Sequence, residues 1–464
     1  MKLSAYDNIV IDAVDKWLAY RFKSAPLVGG QLCIRKSGTA LLNTAYGSAR
    51  NQNKTVMTTE HLCRMASNSK MFTCCALLML EREGKLHFGD KVTKYIPQLA
   101  SHRDKRFAEI TIGDLVSHRA GIYRDGFQPL FWGLEQPFPS REILAEAVLQ
   151  SDLICAPQGD SKYSNLGFSL LGEVIEAASG SSYEKWVREN VIEKIGLSHT
   201  HPDYTTDLDG QMADGHSRPI YDGERKPFIH VATNAMAVAT GFCSTAGDAS
   251  LFLHEFLAGD RLLRTDTQQM LLSTSWPVKN SQNERYGYAL RHDQAGDLYL
   301  IGHSGSFPGF TAETRLWNGT DYIFSFILNT YEPAAFGAIA GIAEMYKLVE
   351  TTFCALDKVS VSLPLSNCWG SAIWIVGNDR ALMLDVDTWS PCNRAMLFEK
   401  RGQEYISDQA SGYRCVGEPA VFGRDANGDI ISVTCGMLSA SSEADFLERS
   451  RKTVSSRDNR LTPG

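Results

Sequence analysis

The sequence predicts an α+β protein: an antiparallel sheet flanked by helices, interrupted by an inserted helical subdomain and followed by a small C-terminal β-barrel. Three observations predict it. Strand-like stretches occur near the start and return only after residue 286, with a mainly helical region between them. An amphipathic helical stretch closes this first part. After about residue 358 the pattern changes to short strands separated by tight turns. Early and late strands can pair in one sheet while the intervening helices pack beside it.

In chain order, Ile9, Val10, Ala13, Val14, Trp17 and Leu18 recur at helical spacing, which predicts a helix from about Tyr6 to Phe22. Val28 to Ile34 and Ala40 to Tyr46 read as two strands around the turn at Lys36. Met71 to Leu80 is nearly all apolar, as a buried helix is, and ends near Gly84. The helical insertion runs from about 75 to 230 and includes a helix lined by Phe168, Leu171, Val174, Ile175 and Ala178 that stops at Gly180. Strands are expected at Tyr286–Arg291, Asp297–Gly302, Thr311–Trp317 and Tyr322–Asn329, then a helix over Ala334–Phe353. Ile373–Val376, Ala381–Val386, Met396–Glu399, Val421–Arg424 and Ile430–Cys435 read as the strands of the barrel. The expected domains are 1–355 and 360–448, with 449–464 as a tail.

Composition excludes several classes. The 464 residues carry a net charge of −7, so neither nucleic acid nor an anionic membrane attracts the chain. No apolar run has the length of a membrane span, and the acidic stretch from Met1 to Trp17 lacks the core of a secretory signal. Eleven cysteines form neither a disulfide framework nor a metal-binding spacing, which points to a reducing, cytoplasmic setting. His199 and His201 read as a polar loop, so no metal and no cofactor is expected.

The chemistry rests on an ordered set of residues. Ser67 and Lys70 lie three apart at the start of the buried helix, so hydroxyl and amine share a face. Apolar surroundings depress a lysine pKa and let the amine accept a proton. Alone the S-x-x-K spacing carries nothing, since Ser182 and Lys185 repeat it. The Y-x-N of Tyr163 and Asn165 and the H-x-G of His303 and Gly305 have decoys at Tyr6 and His87. Only Ser67, Tyr163 and His303 occur in an order and at element ends that can meet in one cleft. Phe131, Trp132 and Phe138 form an aromatic group that suits either the cleft or the core.

At these residues the sequence resembles the serine β-lactamase and penicillin-binding family, within its branch of D-aminopeptidases, DD-peptidases and esterases. M-A-S-N-S-K-M-F-T over Met65–Thr73, I-T-I-G-D-L-V-S-H-R-A-G-I over Ile110–Ile122 and Y-S-N-L-G-F-S-L-L-G over Tyr163–Gly172 carry the likeness. G-H-S-G-S-F-P-G-F over Gly302–Phe310 and the Ser244–Asp248 turn add to it. The tail, notably Asp425–Gly436, resembles the lipocalin-like barrel appended to D-aminopeptidases.

The resemblance implies a β-lactamase/transpeptidase-like fold and an acyl-enzyme mechanism. Ser67 is the implied nucleophile, Lys70 takes its proton or orients it, and Tyr163 relays a proton to the leaving group and later helps activate water. Asn165 binds the substrate amide and Lys70, His303 lines the opposite wall, and the N–H groups of Ser67 and Ser306, beside Gly305, form the oxyanion hole. Histidine stands where lactamases carry the lysine of K-T-G, which argues against β-lactamase as the main activity. A second departure is Pro157-Gln158-Gly159, where relatives have adjacent Pro-Gly before the Y-x-N. The expected partner is a small-molecule or short-peptide substrate, with a homo-oligomer left open. Competing readings are a carboxylesterase, an acyltransferase or peptide cyclase of the same fold, and a non-catalytic binding protein.

Overall fold

The computed structural model describes residues 5–50, 55–126, 129–219, 223–332, 334–353, 356, 358–407, 417–436 and 438–458. The chain forms two compact units, one of residues 28–339 and one of residues 1–27 together with 340–464.

The larger unit is built on a nine-stranded sheet. Its strands are β1 (Gly29–Lys36), β2 (Thr39–Arg50), β3 (Thr55–Val56), β6 (Ser275–Pro277), β7 (Glu284–Gly287), β8 (Arg291–Ala295), β9 (Leu298–Phe307), β10 (Phe310–Trp317) and β11 (Tyr322–Leu328). A separate two-stranded ribbon joins β4 (Cys63–Arg64) to β5 (Cys243–Ser244). The sheet order is β3-β2-β1-β11-β10-β9-β8-β7-β6, and its pairs are antiparallel. The early and late strands meet where β1 pairs with β11, from Gly30 opposite Leu328 to Lys36 opposite Tyr322. β1 is buried along nearly its whole length, as a strand covered on both faces must be.

Between β3 and β6 the chain is mainly helical. Every residue from Ser69 to Leu80 in the helix Ser69–Arg82 is buried, which explains its unbroken apolar sequence. Phe72 stacks on Phe252 and Phe242 at 3.6 and 4.3 Å. The helix Asn165–Ser179 begins where the Ser164 hydroxyl accepts from Gly167 N–H and ends at Gly180, whose φ of +72° suits glycine.

Two strand expectations are corrected. Tyr286–Arg291 is not one strand: β7 stops at Gly287 and β8 starts at Arg291. Ala289 turns the chain with φ +54°, and Gly287 N–H donates to the Leu290 carbonyl at 2.7 Å. Ala289 and Leu290 are fully buried, so the turn carries none of the polar residues that usually announce one. His303 does not end its strand either. β9 continues to Phe307 because β10 pairs with it throughout, despite the weak strand formers Ser304, Gly305 and Ser306.

In the smaller unit β13 (Leu365–Asn367), β14 (Gly370–Val376), β15 (Arg380–Asp385), β16 (Met396–Arg401), β17 (Glu404–Ser407), β18 (Pro419–Arg424), β19 (Ile430–Cys435) and β20 (Leu438–Ser441) pair in sequence. β20 returns to β13 and closes an eight-stranded antiparallel barrel. A further strand, β12 (Ser360–Val361), pairs with β14. Trp374, Met383, Phe398 and Val433 belong to the barrel's own core. The N-terminal helix Ala5–Ser24 is part of this unit, which the expected 1–355 domain does not anticipate. Trp17 Nε1 donates to the Thr388 carbonyl at 3.2 Å and Lys16 Nζ to that of Val361 at 2.8 Å.

The expected tail opens as a helix, Glu443–Asp458, begun by Ser442, whose hydroxyl accepts from Asp445 N–H. Residues 459–464 of that tail lie outside the described residues. No helix among the described residues is long and apolar enough to cross a membrane. Among the described cysteines Cys33, Cys63, Cys74, Cys75 and Cys243 are free thiols, and Cys74 and Cys75 are wholly buried.

Candidate active site

Ser67 lies in a single tight turn, Ala66–Asn68, that runs directly into the helix Ser69–Arg82. Ala66 carries a left-handed φ of +47°, strained for a residue with a Cβ. The turn is held from inside: Asn68 Nδ2 donates to the carbonyls of Met65 and Ala312, and Phe242 N–H donates to the Ser69 hydroxyl. β9 crosses this turn. A Cβ on Gly305 would stand 2.1 Å from the Met65 carbonyl oxygen, so only glycine permits the approach.

Ser67, Lys70 and Tyr163 come together. Lys70 Nζ lies 3.1 Å from the Ser67 hydroxyl, 2.7 Å from Asn165 Oδ1 and 2.9 Å from the Ala239 carbonyl. The Tyr163 hydroxyl donates to the same Ser67 oxygen at 2.7 Å. Asn165 is oriented by its other end, where Nδ2 donates to Asp125 Oδ1 at 2.8 Å.

The partner set fixes where a neutral Lys70 amine would keep its protons. Lys70 is wholly buried, and burial holds its amine well below the usual lysine range, against a smaller opposing pull from Asp125. A neutral amine has two N–H groups and one lone pair. Asn165 Oδ1 and the Ala239 carbonyl can only accept, so they take both N–H groups. The lone pair is left facing Ser67, whose hydroxyl can donate to it. Burial also pushes the Tyr163 phenol up to about 12, so it keeps its proton at neutral pH.

His303 lines the wall as expected, yet its nitrogens are turned into the protein. Nδ1 lies 2.6 Å from the Ser304 carbonyl and so carries the proton; Nε2 accepts from the Tyr286 hydroxyl at 2.9 Å. Burial holds this imidazole well below 6.5.

β8 pairs with β9 only as far as Gly302, so beyond that point this edge of β9 has no partner strand among the described residues. His303, Ser304, Gly305 and Ser306 line a cleft of about 620 Å³ together with Ser67, Tyr163 and Asn165. Trp132 also lines it, whereas Phe131 and Phe138 are buried beside it, so the aromatic group divides between cleft and core. Gln158 takes the left-handed φ of +63° in the loop that leads to Tyr163.

The decoys lie elsewhere. Lys185 is exposed and 4.0 Å from Glu189, His87 is exposed, and the Tyr6 hydroxyl donates to the Phe353 carbonyl.

Asp125, Tyr286, Arg291 and Glu313 are among the cleft residues that nothing in the sequence singles out. Arg291 Nη1 donates to the Ser304 hydroxyl at 2.8 Å, while Nη2 reaches Glu284 and Asp293. Glu313 is nearly buried in the cleft wall and accepts from Arg315 Nε at 2.9 Å. None of the four stands in a spacing that distinguishes it from other charged or aromatic strand and loop residues.

An antiparallel sheet beside a helical subdomain, with a serine, a buried lysine and a tyrosine between them, defines the class of the penicillin-recognising serine hydrolases. The chain belongs to the beta-lactamase family, whose model, described as Beta-lactamase, matches residues 14–345.

Among curated relatives it is similar to Protein flp of Staphylococcus aureus (strain N315), with 26% identity over 191 residues, 40% of this chain and 37% of that protein. It is also similar to the D-alanyl-D-alanine-carboxypeptidase/endopeptidase AmpH of Escherichia coli (strain K12), with 26% identity over 269 residues, 56% of this chain and 66% of that protein. The chain thus spans little more than a third of flp and about two thirds of AmpH.

Among solved structures, the D-amino acid amidase of Ochrobactrum anthropi SV3 aligns with TM-score 0.63 and 21% identity, covering 74% of this chain and 99% of that one. The octameric penicillin-binding protein homologue of Pyrococcus abyssi aligns with TM-score 0.63 and 19% identity, covering 93% and 99%. Both likenesses concern the fold.

Proposed function

We propose that the protein is a serine hydrolase that cleaves an amide or ester through an acyl-enzyme on Ser67, with the substrate preference of a D-aminopeptidase. The observation that carries this reading is the Ser67 oxygen within hydrogen-bond reach of both the buried Lys70 amine and the Tyr163 phenol. In the first step Ser67 Oγ attacks the substrate carbonyl carbon and its proton passes to the Lys70 lone pair. The charge that grows on the carbonyl oxygen meets the N–H groups of Ser67 and Ser306. The Tyr163 phenol gives its proton to the leaving amine or alkoxide. The proton held by Lys70 replaces it through the shared hydrogen-bond cluster. Water then attacks the ester, and the same groups act in reverse.

The test is a panel of D- and L-aminoacyl anilides and short-chain aryl esters with the native protein, Ser67→Ala and Tyr163→Phe. Turnover of the D-anilides, lost in Ser67→Ala and reduced about 10²–10⁴-fold in Tyr163→Phe, is expected. Activity that survives in Ser67→Ala rejects the mechanism; turnover of esters alone moves the assignment to esterase.

One observation favours a second reading, a carboxypeptidase. Arg291, beside the Ser304 hydroxyl and shared with Glu284 and Asp293, places a permanent guanidinium in the cleft wall where His303 carries none, and a substrate's terminal carboxylate would share it. Peptides with free and amidated C-termini, compared in native protein and Arg291→Ala, separate the two readings.

A further inference from the structure

The S-H-R-A-G run over Ser117–Gly121 has no part in the chemistry above. It follows the short helix Ile112–Val116, whose start is fixed by reciprocal capping between Thr111 and Asp114. From there it lies along the 154–164 loop as a row of backbone ties. Ile154 N–H donates to the Gly121 carbonyl at 2.8 Å, Gln158 N–H to that of Arg119 at 2.9 Å, and Lys162 N–H to that of His118 at 2.7 Å. The last tie falls one residue before Tyr163. One residue after it, Ser164 N–H donates to His118 Nδ1 at 3.2 Å. Between the two ties the imidazole lies against the Tyr163 ring, with centroids 4.0 Å apart and planes tilted by 43°.

These contacts persist against two costs. His118 has a φ of +56°, a conformation that side-chain-bearing residues hold only where their surroundings over-determine it. Its Nε2 is buried without a hydrogen-bond partner among the described residues. Because Nδ1 accepts, the proton of the neutral ring sits on that Nε2. An imidazolium would carry a second proton on Nδ1, facing the Ser164 N–H, and would break the tie. Burial holds the imidazole well below 6.5 and so neutral.

We infer that His118 is a positioning residue: it clamps Tyr163 through both chain neighbours and across one ring face, and so keeps the phenol on the Ser67 oxygen. The inference rests on the role proposed for Tyr163. A phenol free to swing by an ångström would still permit substrate binding but would miss its proton transfer, so the loss falls on kcat.

Three variants dissect the clamp. His118→Asn keeps an acceptor, Oδ1, the same number of bonds from Cα, and asparagine tolerates left-handed φ. His118→Phe keeps a ring face without the acceptor. His118→Gly keeps only the backbone freedom. With the preferred ester or anilide, Gly and Phe variants are expected to lose at least tenfold in kcat with KM within twofold, and the Asn variant to be at least fivefold faster than either. An Asn variant no faster than the Phe variant, or wild-type kcat in all three, overturns the inference. If the Gly variant does not fold by circular dichroism, the Asn–Phe comparison decides alone. Tyr163→Phe in the same assay distinguishes the two failures. Full activity there removes the role of Tyr163 and this inference with it. A slow Tyr163→Phe beside unimpaired His118 variants removes this inference only.

Discussion

Replacing Gly305 by alanine drives a methyl group into the turn that carries Ser67. The added Cβ would stand 2.1 Å from the Met65 carbonyl oxygen, 3.1 Å from its carbon and 3.0 Å from Asn68 Nδ2. Ordinary contact begins near 3.4 Å, so strand and turn must separate by about 1.3 Å. The nearest atom is a backbone oxygen, and the Asn68 amide beside it is tied by hydrogen bonds, so neither gives way cheaply. Asn68 also ties the turn to Ala312 on β10, so the strain spreads into the sheet rather than relaxing locally. Overpacking of this kind costs ~1–3 kcal/mol, which lowers the melting temperature by roughly 2–10 °C. A displacement of about 1 Å between nucleophile and oxyanion donors costs on the order of 10²-fold in rate. The assay is kcat and KM on the preferred substrate, with labelling by a covalent serine probe and a thermal melt alongside. Both kcat and the labelling rate are expected to fall by about two orders of magnitude, with the fold retained by circular dichroism. Wild-type turnover together with an unchanged melting temperature would show that β9 does not approach the Ser67 turn as described.

Asp125→Asn removes the negative charge that pulls the Lys70 pKa upward, so the lysine becomes easier to deprotonate and the acidic limb of the kcat/KM profile moves to lower pH. An unmoved or raised midpoint contradicts the assignment of that limb to Lys70. Lys70→Met abolishes turnover and changes the pH dependence of stability. The folded-state pKa of Lys70 lies well below 10.5, so between the two values the unfolded chain holds a proton that the folded chain does not. Wild-type stability from this group therefore rises with pH across that window, by ~1.4 kcal/mol per pH unit, until about pH 10.5. Urea unfolding from pH 7 to 9 should show any advantage of the methionine variant closing at that slope; parallel curves would mean that Lys70 folds charged.

Much of the site was legible before any coordinates. The spacing of Ser67 and Lys70 and the apolar run behind them dictate a shared helical face in a dry environment. The fully buried helix Ser69–Arg82 is what such a run must become. The roles of Asp125, Arg291 and Glu313 were not legible, because a lone charged residue reads alike whether it faces solvent or a cleft. The turn at Ala289 was hidden for a related reason: tertiary burial of Ala289 and Leu290 lets apolar residues occupy a conformation that sequence signals associate with polar ones.

The sequence by itself determined the local terms: which segments coil, which extend, where glycine caps a helix, and which hydroxyl shares a turn with which amine. These follow from interactions over a few residues, and each segment carries them wherever it is placed. The tertiary structure alone decided proton ownership and orientation. The Lys70 amine is held well below its usual range because other elements exclude water from it, and Asn165 and Ala239, far away in the chain, accept from it beside Ser67. His303 looks inward because Tyr286 on β7, the next strand but one, offers its hydroxyl. Desolvation and hydrogen-bond satisfaction are properties of what surrounds a group in space, and no window of sequence contains that surrounding.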